Sequence, residues 1–166
     1  MLQFFFKKIS LNMTRHLSSI AFKATVEKII RNRNEESEAI LELISGIIGD
    51  RSFIMGKVFN AVANIAEIDI DLLCSELFED YKWELVIDLS KAKTKLQAFI
   101  MIYANSNNSI STASGMEKSR FSRLQNGELQ ELYADEVYGL AKAFGLKPSQ
   151  LFNYFYGDGE RPVVGL

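Results

Sequence analysis

The stretch "SGMEKSRFSRLQNGE" (residues 114–128) puts three basic side chains, Lys118, Arg120 and Arg123, into six residues, with Phe121 among them and Asn126-Gly127 at its close. Phe121 and Leu124 stand three apart and share one helix face, which leaves Lys118, Ser119, Ser122 and Arg123 on the other. A helix that enters a DNA major groove has this make-up: short or positive side chains outside, large apolar ones inside, and a partner helix that fixes its angle. A solvated amphipathic helix has the same spacing, so the neighbouring segments have to decide between the two.

Those neighbours are helical and short. The chain holds only two prolines, Pro148 and Pro162, and its apolar residues recur at three and four rather than at two, which predicts an all-α protein. Beyond the polar, basic run "SKAKTK" (residues 90–95) come five pieces: "TKLQAFIMIYAN", "SNNSISTASG", "EKSRFSRLQNG", "YADEVYGLAKAFG" and "KPSQLFNYFYG". Gly115, Gly127 and Gly145 stop the second, third and fourth, and Pro148 opens the fifth, where its missing N–H costs nothing. Between Lys95 and Gly127 the charges are Lys95, Lys118, Arg120 and Arg123 against Glu117, a local excess of positive charge that the whole-chain net of −2 hides. The apolar "LQAFIMIYA" is expected to be covered on two sides, by its own domain and by the first half or a second subunit.

In order and content, "ISTASGMEKSRFSRLQNG" followed by "LAKAFGLKPSQLF" resembles the phage-repressor-like helix-turn-helix family, also called the XRE or Cro family, over about residues 95–158. Ile110 and Ser111 stand at the family's Leu-Ala pair, Gly115 and Met116 at its turn, and Ser119, Phe121, Ser122 and Arg123 follow its recognition-helix pattern. Asn126 and Gly127 match its closing Asn-Gly, and residues 141–146 with Leu151 match its final helix pair. The resemblance implies a five-helix lambda-repressor-like domain in which Lys118, Ser119, Ser122 and Arg123 read base edges. It also places Asn107 and Asn126 at the DNA backbone and makes Arg120 a phosphate clamp or a rim residue. Three features depart from the pattern: Asn105 replaces an apolar residue, the loop before the fourth helix is one residue longer, and "ELQELYADE" brings Glu128, Glu131, Asp135 and Glu136 where basic residues are common. If those carboxylates faced DNA they would repel it.

The first half is expected to hold four helices. One runs from about Met13 to Arg33; a second carries the stripe Ile40, Leu43, Ile44, Ile47 and stops at Gly49. "SFIMGKVFNAVANIAEI" forms a third. A fourth, capped by Asp69 or Asp71, reaches about Leu89 with Leu72, Leu73, Leu77 and Phe78 on one side. Residues 1–90 carry 10 basic and 14 acidic groups, and residues 91–166 carry 9 and 7, so the halves differ in sign. The expected division is a poorly ordered leader (1–12), a helical domain (13–89), a linker (90–95), the helix-turn-helix domain (96–158) and a tail (159–166). A shift of 78 residues lays Gly49, Ala63, Ile68, Leu73 and Asp80 under Gly127, Ala141, Leu146, Leu151 and Asp158, although residues 40–48 offer no basic outer face. The first domain is therefore either a degenerate unit of related shape or a plain dimerisation or partner-binding unit.

One Cys (Cys74) and one His (His16) exclude a disulfide framework, a Cys/His zinc site and a Ser-His or Cys-His relay. Cys74 lies in "LLCSELF" and reads as a small buried hydrophobe. Neither a Gly-rich phosphate loop nor metal-ligand spacing occurs, and the pairs Glu35/Glu36 and Glu79/Asp80 point to different helix faces. No cofactor and no enzymatic activity are expected. With no secretory signal or membrane span in view, the expectation is a cytoplasmic, sequence-specific transcriptional regulator that binds double-stranded DNA as a homodimer on two half-sites. The alternative is a protein-interaction module, antitoxin-like or adaptor, using the acidic loop or the cluster Phe152, Tyr154, Phe155, Tyr156.

Overall fold

The computed structural model describes residues 16–33, 37–85, 90 and 107–162. Eight α-helices fall within them: α1 (Ser19–Arg31), α2 (Glu38–Ile48), α3 (Gly56–Ile65), α4 (Ile70–Phe78), α5 (Asn107–Ala113), α6 (Lys118–Gln125), α7 (Ala134–Ala143) and α8 (Pro148–Tyr156). The fold is all-α, as the periodicity predicts. None of these helices is long and apolar enough to cross a membrane. The piece "TKLQAFIMIYAN" and nearly all of the 90–95 boundary lie outside the described residues.

Local chemistry sets the helix ends. Ser18 caps α1 by accepting the Ala21 N–H at 3.2 Å, and Asp69 caps α4 by accepting the Leu72 N–H at 2.8 Å. Arg51 closes α2 by donating to the Ile47 and Ile48 carbonyls at 2.9 and 2.8 Å. Buried Phe22, Val26 and Ile30 on α1 recur every four residues. Two expectations need correcting. On α2, Ile44 and Ile48 are buried while Leu43 is 54% exposed, so the buried face lies about one position off the expected stripe. Helix α4 ends at Phe78 rather than near Leu89, and its buried face is Ile70, Leu73, Cys74 and Phe78, with Leu72 facing solvent. Glu79 and Asp80 follow at once; negative charge at a helix C-terminus opposes the macrodipole. The chain then continues without regular structure over 81–85, where the Glu84 N–H donates to the Ala113 carbonyl at 3.0 Å.

One contiguous core takes side chains from both halves of the chain, from Leu17 to Phe152. Phe59 is its hub: fully buried, its ring lies 5.3 Å from Phe22, 6.0 Å from Phe78 and 4.7 Å from Phe152. Helices α3 and α4 pack against α7 and α8, while α5 packs on α6 and α7. Cys74 is buried in this core as expected, and burial pushes its thiol up, out of reach of neutral-pH ionisation.

The packing of α3–α4 on α7–α8 keeps a constant offset. Helices α3 and α7 are both 10 residues long and start 78 apart; α4 and α8 are both 9 residues long and also start 78 apart. The turns inside the two pairs are built alike. Ile68 N–H donates to Ala63 at 2.8 Å and Glu67 N–H to Asn64 at 3.2 Å; Leu146 N–H donates to Ala141 at 2.8 Å and Gly145 N–H to Lys142 at 3.1 Å. These are the two bonds of a Schellman closure. It needs a left-handed residue, which is Glu67 (φ 51°) in one pair and Gly145 (φ 69°) in the other.

Candidate nucleic-acid interface

Helix α6 is fixed at both ends by its own sequence. At its start the Glu117 carboxylate accepts the Ser119 and Arg120 N–H groups at 3.0 and 3.2 Å and the Ser119 hydroxyl at 2.6 Å. The Ser119 hydroxyl bond, with the backbone bonds, holds the Glu117 carboxyl below the usual carboxylate range. At its end Gly127, at φ 77°, donates to Leu124 at 3.2 Å while the Glu128 N–H donates to Arg123 at 2.9 Å, a complete Schellman closure around Asn126. The same closure ends α5: Gly115, at φ 71°, donates to Thr112 at 3.2 Å and the Met116 N–H to Ser111 at 2.9 Å. Met116 is buried, so the turn between α5 and α6 is anchored as well as bent. A side chain at Gly139 of α7 would put its Cβ 2.1 Å from the Ser114 carbonyl, so this glycine is what lets that turn sit on α7.

The expected base-reading residues are together on the outside. Lys118, Ser119, Ser122 and Arg123 are all exposed on α6, and Asn126 is exposed at its C-cap. Phe121 and Leu124 are half-buried, as inward-facing positions, and α6 contains no fully buried residue. Ser119 spends its hydroxyl proton on Glu117, which leaves its oxygen as an acceptor. Arg123 stands 3.5 Å from Glu128, both more than half exposed, a contact of the kind that contributes little in water. Lys118 has no ion pair among the described residues. Asn107 begins α5, but its side chain lies outside the described residues.

Arg120, expected as a phosphate clamp or a rim residue, is only partly exposed. Its guanidinium turns inward: Nε and Nη2 donate to the two carboxylate oxygens of Glu136, and Nη2 also reaches the Glu131 carbonyl at 3.0 Å. Its charged centre lies 4.4 Å from the Tyr133 ring centroid. The hydrogen bonds to Glu136 raise the Arg120 pKa further above an already permanent charge. Glu136, 2% exposed, also accepts the Tyr133 N–H at 2.9 Å, so one carboxylate caps α7 and ties α6 to it.

The acidic stretch after Gly127 is thereby split. Asp135 and Glu136 point into the protein, with Asp135 accepting the Leu17 N–H at 3.2 Å and lying 3.1 Å from His16 Nδ1. His16 stacks on Tyr133 with ring centroids 3.8 Å apart. Only Glu128 and Glu131 of the four carboxylates stay exposed. Part of the sequence signal for this was available: Glu136 is the third residue of a helix, where a carboxylate reaches back. What the sequence did not offer was the partner of Asp135, because His16 is 119 residues away.

A short helix, a glycine turn anchored by a buried Met, and a second helix with a polar, cationic outer face define a helix-turn-helix module. Residues 95–155 match the family model of the Cro/C1-type HTH DNA-binding domain, which takes in α5, α6, α7 and nearly all of α8. The resemblance read over about residues 95–158 therefore stands. No match was found among curated proteins or among solved structures.

Proposed function

We propose that the protein is a sequence-specific DNA-binding transcriptional regulator in which α6 lies in the major groove. The observation that carries this is the exposed set Lys118, Ser119, Ser122 and Arg123 on a helix fixed by a Glu117 cap, a Schellman closure and the Arg120–Glu136 tie. Lys118 and Arg123 supply donors for guanine O6 and N7, and Ser119 and Ser122 supply short hydroxyls that let the backbone approach. Asn126 and Asn107 contact phosphates beside the two helices. Arg120 acts indirectly, by setting the tilt of α6. The mechanism is non-catalytic: an occupied site blocks or recruits other proteins. With Asp135 and Glu136 internalised, the main sequence objection to DNA binding is halved.

The exposed charges of the site nearly balance, the cations Lys118 and Arg123 against the anions Glu117 and Glu128, with Arg123 beside Glu128. That balance favours a second reading, a protein-interaction module. Selection of bound duplexes from a random pool, followed by a salt titration of the winner, separates the two. A DNA reader enriches a defined motif and loses affinity steeply with salt, in proportion to the phosphates it neutralises. Failure to enrich any motif removes the DNA reading.

A further inference from the structure

We infer that the chain carries its own dimer mate, the α3–α4 pair of the first half pairing in cis with the helix-turn-helix half, so that one copy docks on one non-palindromic half-site. The second clause rests on the DNA reading above; the first does not. Residues 78 apart do more than adopt like conformations, because some of them meet. Met55 and Tyr133 pair as an isolated antiparallel bridge, flanked by Gly56 N–H to Leu132 at 2.8 Å and Ala134 N–H to Ile54 at 2.9 Å. Each of those bonds is the other with both residues moved by 78. At the far end Asp71 meets its own counterpart, accepting the Ser149 N–H and hydroxyl, each at 2.9 Å. An equivalent residue touches its own image only on a two-fold axis. Two such points therefore mark a pseudo-two-fold running between α3–α4 and α7–α8.

Off-axis contacts come in matching pairs, as an isologous interface requires. Phe78 packs on Tyr138 at 4.7 Å, and the related positions Tyr156 and Asn60 are joined by a side-chain amide donating to the Tyr156 carbonyl at 3.5 Å. The face of α7–α8 on this axis is thus covered by the chain's own α3–α4 and sealed by Phe59 and Phe152. A second copy cannot use it without displacing the first half.

The mate does not read. The positions related to Lys118, Ser119, Ser122 and Arg123 are Ile40, Leu41, Ile44 and Ser45 of α2, and the exposed side chains of that helix include Glu38, Glu42 and Leu43. The outer face of α2 therefore carries no basic side chain at the reading positions, and its exposed Glu38 and Glu42 would repel phosphate. One chain offers one reading helix.

Native mass spectrometry of the full chain tests this, alone and with duplexes carrying one copy of the selected site or two inverted copies a helical turn apart. The expected result is an 18.8 kDa monomer when free and one chain per site. The two-site duplex should bind two chains, with per-site affinity changed by less than about two-fold. A free dimer at micromolar concentration would overturn the pairing in cis. Binding that needs the inverted pair, or tightens on it by about ten-fold or more, would overturn the single half-site. If no duplex binds at all, the half-site clause falls with the DNA reading, and the free-chain mass still decides the pairing.

Discussion

The two halves share a closing helix pair and differ in what precedes it. Helices α3–α4 and α7–α8 have equal lengths, the same turn bonds and the same Schellman closure. Ahead of α7–α8 stand a turn built on Gly115 and a helix with Lys118 and Arg123 outside; ahead of α3–α4 stands α2, with acidic and apolar side chains outside. A core interface tolerates any apolar set of the right volume. A groove-reading helix depends on individual side chains, and can therefore be lost while the scaffold remains. The contrast locates function in the part that differs.

Breaking the tie that only the second half has should have the largest effect. Arg120→Ala leaves the Glu136 carboxylate buried without its partner and should destabilise the chain by about 3–5 kcal/mol, read as a lower urea midpoint at unchanged slope. Gly139→Ala drives a Cβ into the Ser114 carbonyl and should cost about 1–3 kcal/mol. Because the clash is at the turn, it should also displace α6, and DNA affinity should fall in the variant even at temperatures where it is fully folded.

Exchanging features between the halves sharpens the comparison. Glu67 sits in the left-handed region where its counterpart is Gly145, so Glu67→Gly should stabilise by about 1 kcal/mol, seen as a higher Tm. The backbone carbonyls of Ala66 and Glu67 that Arg33 caps are kept in this variant. Glu128→Gln removes the exposed partner of Arg123 and one negative charge beside the site. Fluorescence anisotropy on a selected duplex should then report an affinity gain of about 0.5 kcal/mol, shrinking as salt rises.

The helical class, the glycine stops and the outward set on α6 were legible in the sequence, because each depends on residues within a few positions of one another. The helix-turn-helix resemblance was legible for the same reason. The end of α4 was not: its apolar pattern continues past Phe78 into "YKWELVIDL", and the competing non-helical path is tied to Ala113, far along the chain. Nor was the direction of Asp135 and Glu136, since sequence shows four carboxylates in a loop and only the fold supplies His16 and Arg120. The 78-residue shift was visible as five aligned positions, but the four identities among them are no more than chance gives. The repeat is carried by backbone turns and by packing geometry, which many sequences satisfy.

The central claim is that Arg123, on the outer face of α6, reads the duplex. An anisotropy titration of the wild type and Arg123→Ala against a selected duplex tests it most directly. Among the described residues this arginine makes a single, exposed ion pair, so the variant should keep its Tm and lose about 1–3 kcal/mol of binding free energy. Equal affinities for the two proteins, at the same salt and with both folded, would contradict the account.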